Sequence, residues 1–143
     1  MQQVDFDKVV QDIVAKDPRY PRGAYHFVRE ALDFTQRTIT QEGKHPARHI
    51  CGQELNLGIK AFALQQFGPM AMTVLEDWGV HRCEDFGELV FNMIDCQLLS
   101  KTEKDRREDF AGGYDFFEAF RLPYLPESRK AAQASPAPES AKV

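Results

Sequence analysis

Cysteine is scarce and odd in number. Cys51, Cys83 and Cys96 are the only three, which implies no disulfide framework and fits reduced thiols in a cytoplasmic protein. No apolar run approaches the ~18 residues that a membrane span needs, so no membrane partner is expected. The opening MQQVDFDKVVQDIV has no basic run followed by an apolar stretch, which argues against a signal peptide. Motifs with built-in chemistry are missing too. There is no phosphate-binding glycine loop, no Gly-x-Gly-x-x-Gly, no His-Glu-x-x-His and no Gly-x-Ser-x-Gly, so no cofactor is expected. Nor is there an excess of cations: 18 Lys and Arg stand against 22 Asp and Glu, a formal net charge of −4. A nucleic-acid binder of that composition needs a concentrated basic patch.

What is present is helical patterning over a length, 143 residues, that suits one domain. Phe6, Val9, Val10, Ile13 and Val14 recur at helical spacing in a first helix, which Asp17-Pro18 ends. Pro21 opens a second, with Ala24, Phe27, Val28, Ala31, Leu32, Thr35 and Ile39 on its apolar stripe. The segment QEGKHPARHICG is a loop. A third helix over 53–67 carries two stripes, Leu55, Ile59, Phe62 and Ala63 on one side and Leu57, Ala61 and Leu64 on another. That pattern predicts a central helix. Gly68 ends it and Pro69 starts a fourth, closed by Trp78 and Gly79. The fifth, over 85–98, points Phe86, Leu89, Val90, Met93 and Ile94 inward.

After Leu98-Leu99, the stretch SKTEKDRREDF has Thr102 and Asp105 at capping-box spacing. It reads either as a short helix or as the arm of a wing, with Gly112-Gly113 as the turn of a short β-hairpin and Tyr114 and Phe116 as strand. Phe117 and Phe120 fit a short closing helix. The fold expected is mainly α: a five-helix single domain over 1–124, with a winged-helix-like C-terminal half. The Ala/Pro/Ser-rich stretch 125–143 is expected to be a disordered tail.

Residues 52–95, with KTEKDRREDF, GGYDFFEAF and the earlier DPRYPRGAYHFVREALDFTQ, resemble a group of uncharacterised proteins from planctomycete and verrucomicrobial bacteria. The resemblance covers nearly all of residues 4–124. It implies a lineage and carries over no catalytic residue.

In a winged helix the fifth helix would meet DNA. Its predicted outer arc is Asp85, Glu88, Asn92 and Asp95. Three carboxylates there would repel the phosphates, and no base-reading Arg stands among them. The arc fits a basic protein partner better. Phe91 falls off the apolar stripe, so with Arg82 and Trp78 it is a candidate contact residue. The mixed charges of 101–109 cancel. The basic cluster Lys44, His45, Arg48 and His49 is the rival surface, for nucleic acid or the ribosome.

Two His-x-Cys pairs, His49 with Cys51 and His81 with Cys83, offer a donor set suited to zinc at a spacing zinc sites do not commonly use. Ordinary surface histidines and buried thiols explain them better. A Cys51–His49 nucleophile, a Glu54–His49 acid–base pair and a calcium site in the acidic run 105–118 have less support. The function expected is therefore a cytoplasmic, non-enzymatic protein-interaction module. Its partner could be a second copy of the chain, and nucleic-acid or ribosome-associated binding is the alternative.

Overall fold

The computed structural model describes residues 2–46 and 48–126, with side chains from Phe6 onward. Five helices account for most of it: α1 (Gln2–Lys16), α2 (Arg22–Ile39), α3 (Gly52–Phe67), α4 (Ala71–Asp77) and α5 (Cys83–Asp95). None of them is long and apolar enough to cross a membrane. Residues 127–143, most of the expected tail, lie outside the described residues.

Phe6, Val10 and Ile13 bury one face of α1, and the turn at Asp17-Pro18 ends it. Pro21, extended at φ −80°, is the residue just before α2. The α2 stripe is buried as expected from its spacing at Ala24, Phe27, Val28, Ala31 and Thr35, joined by Tyr25. α2 packs along α3 and also touches α1 and α5, while α3 meets α2, α4, α5 and the short helical turns at 68–70, 107–110 and 117–121, which makes α3 the central helix. The two-sided burial expected of α3 is not found. Leu55, Ile59, Phe62 and Ala63 are buried, but Leu57 and Ala61 are exposed, Leu57 at 61%. The side that α3 does bury includes Asn56, a polar residue with no exposure.

α4 is a short helix after the 3-10 turn Gly68–Met70. Gly79 follows it at φ +79°, and a Cβ there would come within 2.9 Å of Arg19 O, so both backbone and space call for glycine. α5 begins two residues earlier than its periodicity suggests and stops at Asp95. Gln97 takes a left-handed φ of 64°, and Leu98 N–H returns to Met93 O at 2.9 Å. This is a Schellman-type stop. It turns Leu98 and Leu99 back toward the bundle.

The winged-helix half is not supported: among the described residues there is no strand, and the hairpin expected at Gly112-Gly113 is replaced by short turns. The physical reason lies in α3. Gln53 Nε2 donates to Asp109 O (2.8 Å) and Ala111 O (3.1 Å), and Asn56 Nδ2 donates to Phe110 O (3.0 Å). Three successive carbonyls are thus satisfied by side chains, and no strand ladder is needed to pair them. Phe110 seats a 3-10 turn (Arg107–Phe110) against Gly87 of α5. Phe116 stacks on Phe86 with centroids 5.7 Å apart and meets Phe120 edge-on at 5.1 Å, closed by the short helical turns Phe117–Arg121 and Leu122–Tyr124. Of the aromatic crowd of 110–120, Phe110, Phe116 and Phe120 are core and Tyr114 packs against it, while Phe117 is only half-buried.

Candidate binding cavity

The predicted outer arc of α5 is not an open acidic surface. Tyr20 Oη donates to Asp85 at 2.6 Å, and Asp85 also accepts from His81 N–H (2.8 Å) and Arg82 N–H (3.3 Å), capping α5. Glu88 sits between two guanidiniums, Arg19 at 3.2 Å and Arg107 at 3.0 Å. Asn92 donates to Asp17 (3.1 Å) and Tyr25 Oη (3.0 Å). Asp95, the most exposed of the four, has Arg107 at 3.6 Å. Arg19 reaches this position because Asp17 grips it in a fork, Nε–Oδ1 2.9 Å and Nη2–Oδ2 2.6 Å. That fork holds the Asp17 carboxyl well below the usual carboxylate range, with help from Asn92 and against the opposing push of burial. The repulsive arc read from the sequence is therefore an internally bonded seam between α5, the α1–α2 turn and residue 107, in which two arginines offset part of the charge of four carboxylates.

Phe91, expected to be a surface contact, is only 8% exposed and lies under the Arg107 guanidinium at 5.3 Å. Trp78 is half-buried against Phe27 and Phe67. Arg82 is exposed at the start of α5. The rival basic loop is partly spent. Arg48 forks onto Glu54 at 3.0 and 2.6 Å, and Glu54 also accepts from Cys51 N–H at 3.1 Å at the start of α3. Arg48 first, then Cys51 N–H, bring the Glu54 carboxyl down to about 2. Lys44 and His45 are exposed.

His49 turns its ring to Asp105, Nε2–Oδ2 2.5 Å. It thereby ties the loop before α3 to the 101–106 turn. Burial pushes the Asp105 carboxyl up, but the Thr102 N–H and the His49 imidazole outweigh it, and the net shift is down. The His-x-Cys pairs do not assemble. Cys51 is exposed, His81 is exposed, and Cys83 is buried with Sγ donating to Tyr114 O at 3.7 Å. Burial pushes its thiol up. Among the described residues no three His, Cys, Asp or Glu side chains gather in a way that could hold a metal.

What the fold does create is a cavity of about 320 Å³ under the His49–Asp105 pair. Leu32 of α2, Leu55 of α3, Val90 and Ile94 of α5, Leu98 and Phe110 supply its apolar walls, and Phe91 lines it as well. Its polar lining includes Gln36, His49, Asp105 and Asp109. Gln36 Nε2 donates to Arg48 O at 2.8 Å. Its Oε1 is buried with no hydrogen-bond partner among the described residues. The sequence held one trace of this site: Gln36 interrupts the apolar row Leu32, Gln36, Ile39 on α2. The His49–Asp105 contact spans 56 positions and leaves no local trace.

No family model, no curated protein and no solved structure matches the chain.

Proposed function

We propose that this chain is a non-enzymatic interaction module of the cytoplasm, and that it holds a protein partner through the cavity under the His49–Asp105 pair rather than through the outer arc of α5. The cavity itself supports this reading. Its volume of about 320 Å³ is at the small end of recognition pockets and suits one large apolar side chain. Such anchors, set in desolvated pockets, supply most of the energy of protein contacts. On the outer arc of α5 Arg19 and Arg107 already hold Glu88, which leaves a basic partner less to grip. Nucleic-acid contact through the 44–49 loop has less support, because Arg48 is engaged by Glu54 and His49 by Asp105. The winged-helix comparison and the bacterial lineage resemblance add no residue roles.

A photo-crosslinking residue in place of half-buried Leu99, which lines the cavity, tests the proposal in extracts of the producing cell. Discrete crosslinked partners are expected, a second copy of the chain among the candidates. Filling the cavity with Ile94→Trp should abolish them while the circular dichroism stays helical. Undiminished recovery of the same partners by a folded Ile94→Trp variant would sink the reading.

A further inference from the structure

We infer that the segment received by the cavity belongs to another protein and is basic as well as apolar: one large aromatic or aliphatic side chain fills the walls, and a Lys or Arg beside it in the partner's sequence meets Asp105 and Asp109. This rests on the cavity being the contact site. Both carboxylates line the cavity, and the fold holds each by one oxygen. Asp105 takes Thr102 N–H (2.8 Å) and the His49 imidazole (2.5 Å) on Oδ2. Asp109 takes Arg106 N–H on Oδ2 at 2.9 Å, and Gln53 Nε2 pins its main-chain carbonyl at 2.8 Å. Each Oδ1 has no partner among the described residues and keeps accessible surface. A carboxylate accepts about four hydrogen bonds, so both groups have room for further donors.

The cations of the lining leave these oxygens open. His49 is engaged on Oδ2 of Asp105. The Arg106 side chain is exposed and forms an ion pair with neither carboxylate among the described residues. The walls Leu32, Leu55, Val90, Ile94 and Phe110 carry no charge. The cavity therefore presents apolar surface with two held carboxylates beside it, and the complement of that surface is an apolar body with a cation next to it. Because the fold fixes both acids before a partner arrives, docking has little ordering left to do on this side. An acidic segment would meet repulsion at the same two groups. A purely apolar one would leave both oxygens to water.

The test uses the full chain with short peptides blocked at both ends, followed through the methyl NMR signals of Leu32, Val90 and Ile94. Lys-Phe-Lys should shift these signals saturably and bind about three- to tenfold more tightly than Gln-Phe-Gln, with Glu-Phe-Glu weakest. Added salt should narrow the gap. Lys-Ala-Lys, charge without the anchor, should leave the methyl signals unmoved. The chain as a whole carries a net charge of −4 and draws cations everywhere, so variants separate the site from that background. Asp109→Asn should shrink the gap between Lys-Phe-Lys and Gln-Phe-Gln, whereas Asp12→Asn, at an exposed position of α1 outside the lining, should not. Asp105→Asn, which keeps an acceptor for Thr102 N–H, serves if Asp109→Asn fails to fold, and the wild-type comparison needs no variant. Equal affinities for Lys-Phe-Lys and Gln-Phe-Gln, no shift with either, or a gap that neither variant reduces overturns the inference. Crosslinks at position 99 confined to a second copy of the chain overturn it as well. Failure of the lysine preference while those crosslinks remain sensitive to Ile94→Trp removes the basic segment and leaves the interaction reading. A lysine preference beside crosslinks insensitive to Ile94→Trp does the reverse.

Discussion

Gly58 sits in the middle of α3, where glycine costs about 0.5–1 kcal/mol relative to alanine. The structure gives its reason. A Cβ at Gly58 would overlap Thr35 Oγ1 and approach Thr35 Cβ at 2.8 Å, and Thr35 is itself buried and bonded to Ala31 O at 2.7 Å. The helices α2 and α3 touch there at backbone distance. Gly58→Ala gains helix propensity yet should destabilise the domain by about 1–3 kcal/mol through overpacking, read as a lower urea midpoint. An unchanged or raised midpoint would mean that the two helices can part at no cost. Residue types thus hinted at close contacts, since a glycine or an asparagine inside a helix asks for an explanation. Which partner answers, Thr35 for Gly58 or Phe110 O for Asn56, lay far along the chain.

At the scale of elements, α5 is the instructive case. Its inward residues Phe86, Leu89, Val90 and Met93 were legible from a period of 3.6, because burial of one helix face leaves that trace. The fate of its other arc was not. Periodicity tells which side of a helix is apolar, and it is silent on whether the polar side meets water or another segment's arginines. Arg19 and Arg107 come from either side in sequence and close on Glu88. Glu88→Lys, which a partner-binding arc would register as lost binding, should instead cost the fold about 1–2 kcal/mol, because it removes two ion pairs and sets a cation between two guanidiniums. Added salt should shrink the deficit. Equilibrium unfolding at low and high ionic strength checks this, and wild-type stability in the variant would contradict it. The missing hairpin has the same origin: alternation and a Gly-Gly turn were readable at 112–116, but the claims of Gln53 and Asn56 on the 109–111 carbonyls were not.

For the whole molecule, the titrating groups define a stability window. Glu54 is held at about 2 by Arg48 and Cys51 N–H, and Asp17 is held low by Arg19. Both are depressed relative to the unfolded chain, near 4 for such groups. Their contributions are present above that unfolded value and are lost as pH falls toward 2. Tyr20, Tyr25 and Tyr114 are displaced the other way, by burial first, above the usual 10. They contribute below pH 10 and cease to do so as pH rises beyond it. Urea midpoints should therefore hold a plateau through neutral pH and fall at both ends. Glu54→Gln should flatten the acid limb, and an acid limb unchanged by it would assign the slope to other carboxylates.

By itself the sequence determined the number and order of the helices, the inward faces of α1, α2 and α5, and the absence among the described residues of a helix able to span a membrane. Those are consequences of local periodicity and composition. Only the tertiary structure decided that the acids of α5 are bonded within the fold, that Phe91 is a wall and not a surface, and that a cavity opens beside Gln36 beneath His49 and Asp105. Each of these depends on groups 12 to 75 positions apart meeting in space, and such meetings follow from packing, which no local pattern records.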